Sequence, residues 1–97
     1  MPGSSSTALQ IDGINVHVQG GEGVPQAETL LMLHGWPDDW RLWDGTVRAL
    51  KDRWRCVRCT LPGLDLALPP RPLSLDAMVA WLLRVADAVS PGRPLTL

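Results

Sequence analysis

The sequence predicts an α/β fold built on a mostly parallel sheet, in the order hairpin, strand, helix, strand, helix, strand. Two short runs of β-forming residues are joined by Asp12-Gly13, which is typical of a β-hairpin. Apolar strand-like runs then alternate with amphipathic helical segments, and Pro and Gly mark the connections. Alternating strands and helices favour a parallel sheet with crossover connections, to which the hairpin adds an antiparallel edge.

Length and charge exclude several classes of function. With 97 residues and 45% hydrophobic content, the chain fits one small globular domain. The nine basic residues are scattered and the net charge is −1, so we expect neither a nucleic-acid nor a membrane partner. The longest apolar run, Leu30–Leu33, is far too short to span a bilayer, and the N-terminus lacks the features of a signal peptide. A cytoplasmic location is therefore expected.

The first elements form the predicted hairpin. Residues 1–7 are rich in Ser and Gly and are expected to form a disordered leader, before a domain covering residues 8–97. The hairpin strands are predicted at Thr7–Ile11 and Ile14–Gln19. In the second strand apolar and polar residues alternate, which favours a half-buried strand at a sheet edge.

A strand and a helix follow. The continuous apolar run Thr29–Leu33 predicts a strand that is covered on both faces. From Trp40 to Leu50 the spacing predicts a helix, with Asp38 and Asp39 near its positive N-terminal end. Four residues fall on one helical stripe: Trp40, Trp43, Val47 and Leu50.

The last part of the chain repeats this alternation. A strand is predicted at Trp54–Leu61, and Ser74 is a good N-cap for a helix that ends before Ser90-Pro91-Gly92. Pro94–Leu97 has the composition of a strand that the sequence leaves incomplete. The predicted apolar face of the helix contains Leu75, Met78, Val79, Leu82, Leu83, Val85, Ala86 and Val89.

An apolar strand that runs into His34-Gly35-Trp36-Pro37 resembles the α/β-hydrolase superfamily. It is most similar to the branch that contains epoxide hydrolases and haloalkane dehalogenases. The Trp-rich helix, Leu-Pro-Gly at 61–63 and the helix after Ser74 follow in the order of that family. The resemblance covers residues 8–97 and implies an N-terminal fragment, truncated in the strand before the nucleophile elbow.

The resemblance also implies a site. In the family this loop forms part of the oxyanion hole, and by position the donor would be the backbone N–H of Trp36. Gly35 would let the backbone approach the substrate closely, and Pro37 would fix the loop. His34 is expected to brace the loop, because the family's catalytic histidine lies near the far C-terminus.

The remaining machinery is expected to be absent. The sequence contains no Gly-x-Ser-x-Gly and offers no nucleophile, acid or base, so the chain alone should be inactive. The full-length parent would hydrolyse a small-molecule substrate, with no metal or other cofactor. The His-Gly-x-Pro form favours an Asp nucleophile acting on epoxides or haloalkanes. A Ser-dependent esterase or another chemistry of this fold stays open, as does a non-catalytic product that self-associates through an open sheet edge or binds a partner.

Three features have simpler explanations than a site. Cys56 and Cys59 have C-x-x-C spacing, but residues three apart on a strand point to opposite faces, so buried thiols are favoured over a redox or zinc site. Gly20–Gly23 lacks the Lys and Ser/Thr of a phosphate loop and is expected to be a surface loop. His17 is expected to be solvated or structural.

Two positions depart from the family pattern. Relatives commonly carry an acidic residue where Thr60 stands and small apolar residues around Arg58. An arginine in a covered strand is costly unless it is paired or lies at the end of the sheet. The register of this strand is therefore open from the sequence.

Overall fold

The fold is described from a computed structural model, which covers residues 6–35, 38–61 and 74–97. These residues form a mixed four-stranded sheet in the order β1-β2-β4-β3, which confirms the predicted fold class. The hairpin strands and the β2–β4 pair are antiparallel, whereas β3 and β4 are parallel. The elements are β1 (Ser6–Ile11), β2 (Ile14–Gln19), β3 (Thr29–Met32), a 3₁₀ helix (Trp40–Trp43), α1 (Asp44–Leu50), β4 (Arg55–Cys59) and α2 (Leu75–Val89).

The hairpin turn follows directly from its sequence. Asp12 and Gly13 have φ angles of 55° and 82°, the left-handed pair that a two-residue hairpin turn requires. β2 pairs with β1 on one side and with β4 on the other, so the prediction that it lies at the edge is wrong, and β1 is the edge strand. β1 begins at Ser6 and therefore includes residues 6 and 7 of the predicted leader, while residues 1–5 lie outside the described residues.

One helix covers each face of the sheet. Val47 of α1 packs with Met32 and Cys56 on one face. On the other face α2 packs on the side chains of Val57 and Cys59 and on the apolar side of β2. The helix predicted from Trp40 to Leu50 is thus observed in two parts, because its first turn is a 3₁₀ helix.

The start of α2 is as predicted, whereas its buried face is predicted only in part, through Val85 and Val89. Ser74 Oγ accepts a hydrogen bond from the Ala77 amide at 3.1 Å, which confirms the N-cap. Three residues of the predicted apolar face, Leu75, Val79 and Leu83, are 77%, 47% and 62% exposed. The side chains that α2 buries are Trp81, Val85 and Val89.

Contacts with the hairpin explain why α2 buries Trp81 and leaves Leu83 exposed. The Trp81 indole N–H donates to the Ile11 carbonyl oxygen at 3.0 Å, and Arg84 forms an ion pair with Asp12. Both contacts turn the helix towards the hairpin, and the flank that carries Leu83 faces away from it.

The final residues lie beside β3. The Thr96 amide donates to the Thr29 carbonyl at 2.9 Å, and the Leu31 amide donates to the Thr96 carbonyl at 2.8 Å. Thr96 forms a parallel bridge with Leu30, so β3 has a neighbour on both sides. The predicted start of a strand at Pro94–Leu97 is therefore observed as a single bridge.

Candidate functional site

The candidate loop follows β3, at the edge of the sheet where β3 and β4 both end. His34 and Gly35 are described, whereas Trp36 and Pro37 lie outside the described residues, as do residues 62–73. His34 is only 5% exposed, although it stands in a loop. The geometry of the site is therefore known on both sides of the Trp36-Pro37 pair.

His34 joins the ends of two parallel strands. Its Nε2 accepts a hydrogen bond from the Leu61 amide at 3.0 Å, and its Nδ1 lies 3.0 Å from the Gly35 carbonyl oxygen. An imidazole can accept at Nε2 and donate at Nδ1 only as the neutral ring with its proton on Nδ1. Both ring nitrogens are thus used to hold backbone groups, and the loop after β3 is tied to the residues after β4.

Gly35 has open space beside it. A Cβ atom built on Gly35 would meet no heavy atom within 4 Å, so packing among the described residues does not require glycine here. The Asp38 amide donates to the Gly35 carbonyl at 2.9 Å, which places the two residues that flank Trp36 and Pro37 next to each other. Among the described residues, nothing therefore crowds the position that a Gly35 side chain would occupy.

Asp39 starts the helical segment after the loop. Its Oδ1 accepts from the Arg41 amide at 2.9 Å, as an N-cap residue does. The Arg41 guanidinium also forms an ion pair with this carboxylate at 2.7 Å. The side-chain hydrogen bond from Arg41, followed by the backbone one, lowers the pKa of Asp39 to about 2. Asp39 is therefore an ionised cap at neutral pH.

Arg58 is the buried charge that the sequence left unexplained. It lies in β4 and is 7% exposed, and it forms an ion pair with Asp44 at 2.5 Å. Its guanidinium carbon lies 4.6 Å from the centre of the Trp40 ring, a cation–π arrangement. Pairing thus resolves the doubt about the register of β4, where Arg58 faces His17 of β2. Sequence reasoning missed Asp44 and Trp40 as partners, although a buried arginine is itself a signal that an acidic partner is near.

Trp40 is held by further contacts. Its amide donates to Thr60 Oγ1 at 3.3 Å, and its ring stacks on the His17 ring with 3.9 Å between centroids. Burial lowers the pKa of His17, and the neighbouring Arg58 guanidinium lowers it further. Thr60 therefore accepts a hydrogen bond from the residue that follows the candidate loop.

The two cysteines are buried on opposite sides of the sheet. Cys56 packs with the α1 side, and Cys59 belongs to the core cluster under α2. Burial raises the pKa of both thiols, that of Cys59 to about 12. Because the two thiols lie on opposite faces of the sheet, they do not come together as a redox or metal-binding pair. Within residues 6–35, 38–61 and 74–97, no three His, Cys, Asp or Glu side chains are grouped as metal ligands would be.

A hollow of about 230 Å³ lies away from the candidate loop. Arg55, one of its lining residues, begins β4, whereas the candidate loop contacts Leu61, which follows the other end of that strand. The hollow and the candidate loop are therefore at opposite ends of the sheet. Its lining consists of Thr7, Leu9, Val18, Gly20, Glu22 and Arg55.

Curated relatives match the chain over part of their length. "Probable oxidoreductase EphD" of Mycobacterium tuberculosis (strain ATCC 25618 / H37Rv) is 36% identical over 86 residues, which are 86% of this chain and 14% of that protein. "Pimeloyl-[acyl-carrier protein] methyl ester esterase" of Nitrosomonas europaea is 38% identical over 66% of this chain and 24% of its own. "Soluble epoxide hydrolase" of Corynebacterium sp. (strain C12) is 36% identical over 56% of this chain and 18% of its own. The chain thus spans about a seventh to a quarter of these relatives.

Solved structures match almost the whole chain. The Cif epoxide hydrolase from Acinetobacter nosocomialis superposes with a TM-score of 0.72 at 19% identity, covering 98% of this chain and 29% of that protein. A putative lipase from Acinetobacter baumannii gives a TM-score of 0.71 at 22% identity, covering 96% of this chain and 31% of that protein. No family model matches the sequence. Among the described residues, no helix combines the length and apolar character needed to cross a membrane.

Proposed function

The chain has the N-terminal part of the α/β-hydrolase fold, and from this premise we propose that it supplies the oxyanion-hole loop of a hydrolase that works through a covalent intermediate. The observation that carries the proposal is the position of His34. Its buried ring fixes the loop after β3 to the Leu61 amide, two residues before Trp36, the proposed donor. A loop held in this way suits a preorganised donor, which need not reorganise during the reaction.

The chemistry needs such a donor whichever nucleophile the parent uses. A Ser side chain that attacks a carboxylic ester displaces the alcohol and keeps the acyl group, whereas an Asp side chain that attacks an epoxide or a haloalkane breaks a C–O or C–halogen bond and keeps the alkyl group. Water then hydrolyses the resulting enzyme ester through a tetrahedral oxyanion. The Trp36 N–H would donate to this oxygen, and Gly35, whose Cβ position meets no other residue in the described part of the chain, would leave room for it. Loss of one oxyanion donor typically costs about 3–4 kcal/mol of transition-state stabilisation.

The proposed substrate class rests on the form of the loop. His-Gly-x-Pro favours an Asp nucleophile acting on epoxides or haloalkanes, and the names of the Corynebacterium relative and of the Cif structure agree with epoxides. A Ser-dependent esterase is the alternative, which the Nitrosomonas relative favours. The small-molecule substrate would bind in the parent protein, and the proposed role of Trp36 is the same in both cases.

Two experiments test this function. The 97-residue chain, which contains no Gly-x-Ser-x-Gly motif, should not hydrolyse an epoxide such as styrene oxide or a p-nitrophenyl ester faster than buffer. The reading frame after the Leu97 codon should encode a nucleophile elbow within about a dozen residues, with Asp or Ser at its apex. Turnover by the chain alone, or a stop codon directly after Leu97, would contradict the proposal.

We also propose self-association as a second candidate function, because the exposed flank of α2 is apolar. Leu75, Val79 and Leu83 follow one another at helical spacing, and Leu97 at the end of the sheet is 79% exposed. A second copy of the chain could cover these side chains together with the open sheet edge. Sedimentation velocity should show the mean mass rising with concentration. Leu83→Gln should weaken this association and Ala88→Gln, on the same helix, should not, whereas a monomer at all micromolar concentrations would refute it.

A further inference from the structure

Two side chains of the central strands share one aromatic partner. His17 of β2 and Arg58 of β4 lie opposite each other in the antiparallel β2–β4 pair. The His17 ring stacks on the Trp40 ring, with 3.9 Å between centroids and 16° between the ring planes. The Arg58 guanidinium carbon lies 4.6 Å from the centre of the same indole. The position of Trp40 against the sheet therefore depends on both neighbours.

The charges around His17 leave little room for a second cation. The guanidinium of Arg58 faces it from β4, and the Asp44 carboxylate of α1 is already engaged with that guanidinium at 2.5 Å. On the β1 side His17 faces Ala8, which carries no charge. The described titratable or charged groups on this side of the sheet belong to β4, α1 and the start of the 3₁₀ helix: Cys56, Arg58, Asp44, Asp39 and Arg41.

The other groups in this set do not offset the charge of Arg58. Burial raises the pKa of the Cys56 thiol, which is therefore neutral near pH 7. Asp39 and Arg41, which flank Trp40, are paired with each other at 2.7 Å. A proton on His17 would thus add a positive charge that no free carboxylate of this set is placed to neutralise.

Protonation of His17 would change the forces on the shared ring. Burial lowers the pKa of His17, and the neighbouring Arg58 guanidinium lowers it further. Like charges directly opposite each other on paired strands repel. A cation gains energy on the face of an indole, but Arg58 already makes this contact with Trp40. Two cations would then compete for one ring.

From this arrangement we infer that His17 is a pH-sensitive switch for the position of Trp40. The neutral imidazole stacks on the indole and holds it on the sheet beside Arg58. When His17 takes up a proton, the Trp40 ring leaves the stack and becomes exposed, while the opposite face of the sheet, where Trp81 is buried, keeps its packing. Trp40 begins the 3₁₀ helix, so the switch acts on the start of the helical segment that leads into α1. The inference does not depend on the proposed hydrolase function.

Fluorine NMR of the 97-residue chain labelled with 5-fluorotryptophan tests the inference. The five Trp side chains report separately, and Trp40→Phe identifies the Trp40 signal. Between about pH 8 and pH 4.5 this signal should shift with a midpoint below 6.5, and its solvent isotope shift between H₂O and D₂O, which measures exposure, should increase. The Trp81 signal should not change over the same range. A simultaneous change at Trp81 would show unfolding of the whole domain and overturn the inference, as would a Trp40 signal that gains no exposure.

The two histidines of the chain provide the first control. His17→Gln leaves His34 as the remaining imidazole, and it should abolish the pH transition of the Trp40 signal. A transition that persists in this variant would assign the proton to another group and overturn the inference.

Two charge variants distinguish the switch from a purely structural contact, because they should move the midpoint in opposite directions. Arg58→Met removes the opposing cation, so the midpoint should move to higher pH. Asp44→Asn removes the carboxylate that offsets Arg58, so the midpoint should move to lower pH, and this variant carries the test if Arg58→Met does not fold. Arg53→Met, at an exposed arginine in the turn before β4, should leave the midpoint unchanged. An unmoved midpoint in Asp44→Asn, or one that moves to higher pH, would overturn the inference.

Discussion

The free energy of unfolding should respond very differently to the same substitution at two positions of α2. Val85 is fully buried against the sheet, whereas Val79 is 47% exposed, and both lie in the interior of the helix. Val→Ala removes two methyl groups, which are worth about 1.6 kcal/mol when fully buried. A cavity adds to this cost, and the better helix propensity of Ala offsets about 0.5 kcal/mol of it.

Val85→Ala should therefore lower the free energy of unfolding by about 1.5–2.5 kcal/mol, and Val79→Ala should change it by less than about 0.5 kcal/mol. Urea denaturation followed by Trp fluorescence and far-UV circular dichroism measures both values, with an unchanged slope as the control for a comparable transition. The midpoint of Val85→Ala should fall by roughly 1 M, given a slope of about 1–3 kcal/mol per M. Equal losses at the two positions would refute the orientation of α2 described above.

Three further predictions concern buried polar groups. The pKa of His17 is lowered from 6.5, first by burial and then by a neighbouring guanidinium, so stability should be complete above about pH 6.5 and decline as the pH falls through the lowered pKa. In urea titrations at several pH values, His17→Gln should weaken the dependence of the unfolding free energy on pH. An unchanged pH dependence would exclude His17 as its source. Cys56 and Cys59 should react with DTNB at pH 8 at least about 100-fold more slowly than glutathione, and rapid labelling of the folded chain would contradict their burial. His34→Phe should cost about 1–3 kcal/mol in thermal or urea unfolding, because it leaves the Leu61 amide without its acceptor, whereas the Gly35 carbonyl still accepts from the Asp38 amide. His34→Gln, which can still accept from Leu61, should cost less, and equal costs would argue against the hydrogen bond.

Local sequence signals predicted the elements well where the signal and the structure depend on the same few residues. Asp12-Gly13 specified the hairpin turn through backbone conformation alone, and Ser74 specified the start of α2 through one hydrogen bond. The opposite facing of Cys56 and Cys59 followed from the two-residue period of a strand. None of these features needs a distant part of the chain.

The buried side of α2 could not be predicted in the same way. Its apolar residues cover more of the helix surface than the sheet can bury, and periodicity does not say which part faces the sheet. That choice is made by Trp81, whose indole N–H finds the Ile11 carbonyl 70 residues away in sequence. Because Trp81 lies to one side of the predicted stripe, the pattern favoured Leu83, which is exposed instead.

In the candidate site, too, local features could be predicted from the sequence and long-range contacts could not. The sequence pattern located the loop and His34, and it identified Arg58 as a residue that needed a partner. It could not select Asp44 or Trp40 as that partner, because the pairing depends on how α1 crosses the sheet. The hydrogen bond from the Leu61 amide to His34 likewise depends on β3 and β4 being parallel neighbours, so that both strands end at one edge.

The most direct test of the central claim compares two variants of Trp36 in the polypeptide that includes the residues encoded after Leu97. Trp36→Pro removes the backbone N–H that is proposed to face the oxyanion, whereas Trp36→Phe keeps that N–H and changes only the side chain. If the loop forms the oxyanion hole, kcat for the proline variant should fall about 10²–10³-fold below that of the phenylalanine variant, with similar urea midpoints for the two proteins. Equal kcat values in two equally stable variants would contradict the claim that this backbone amide stabilises the oxyanion.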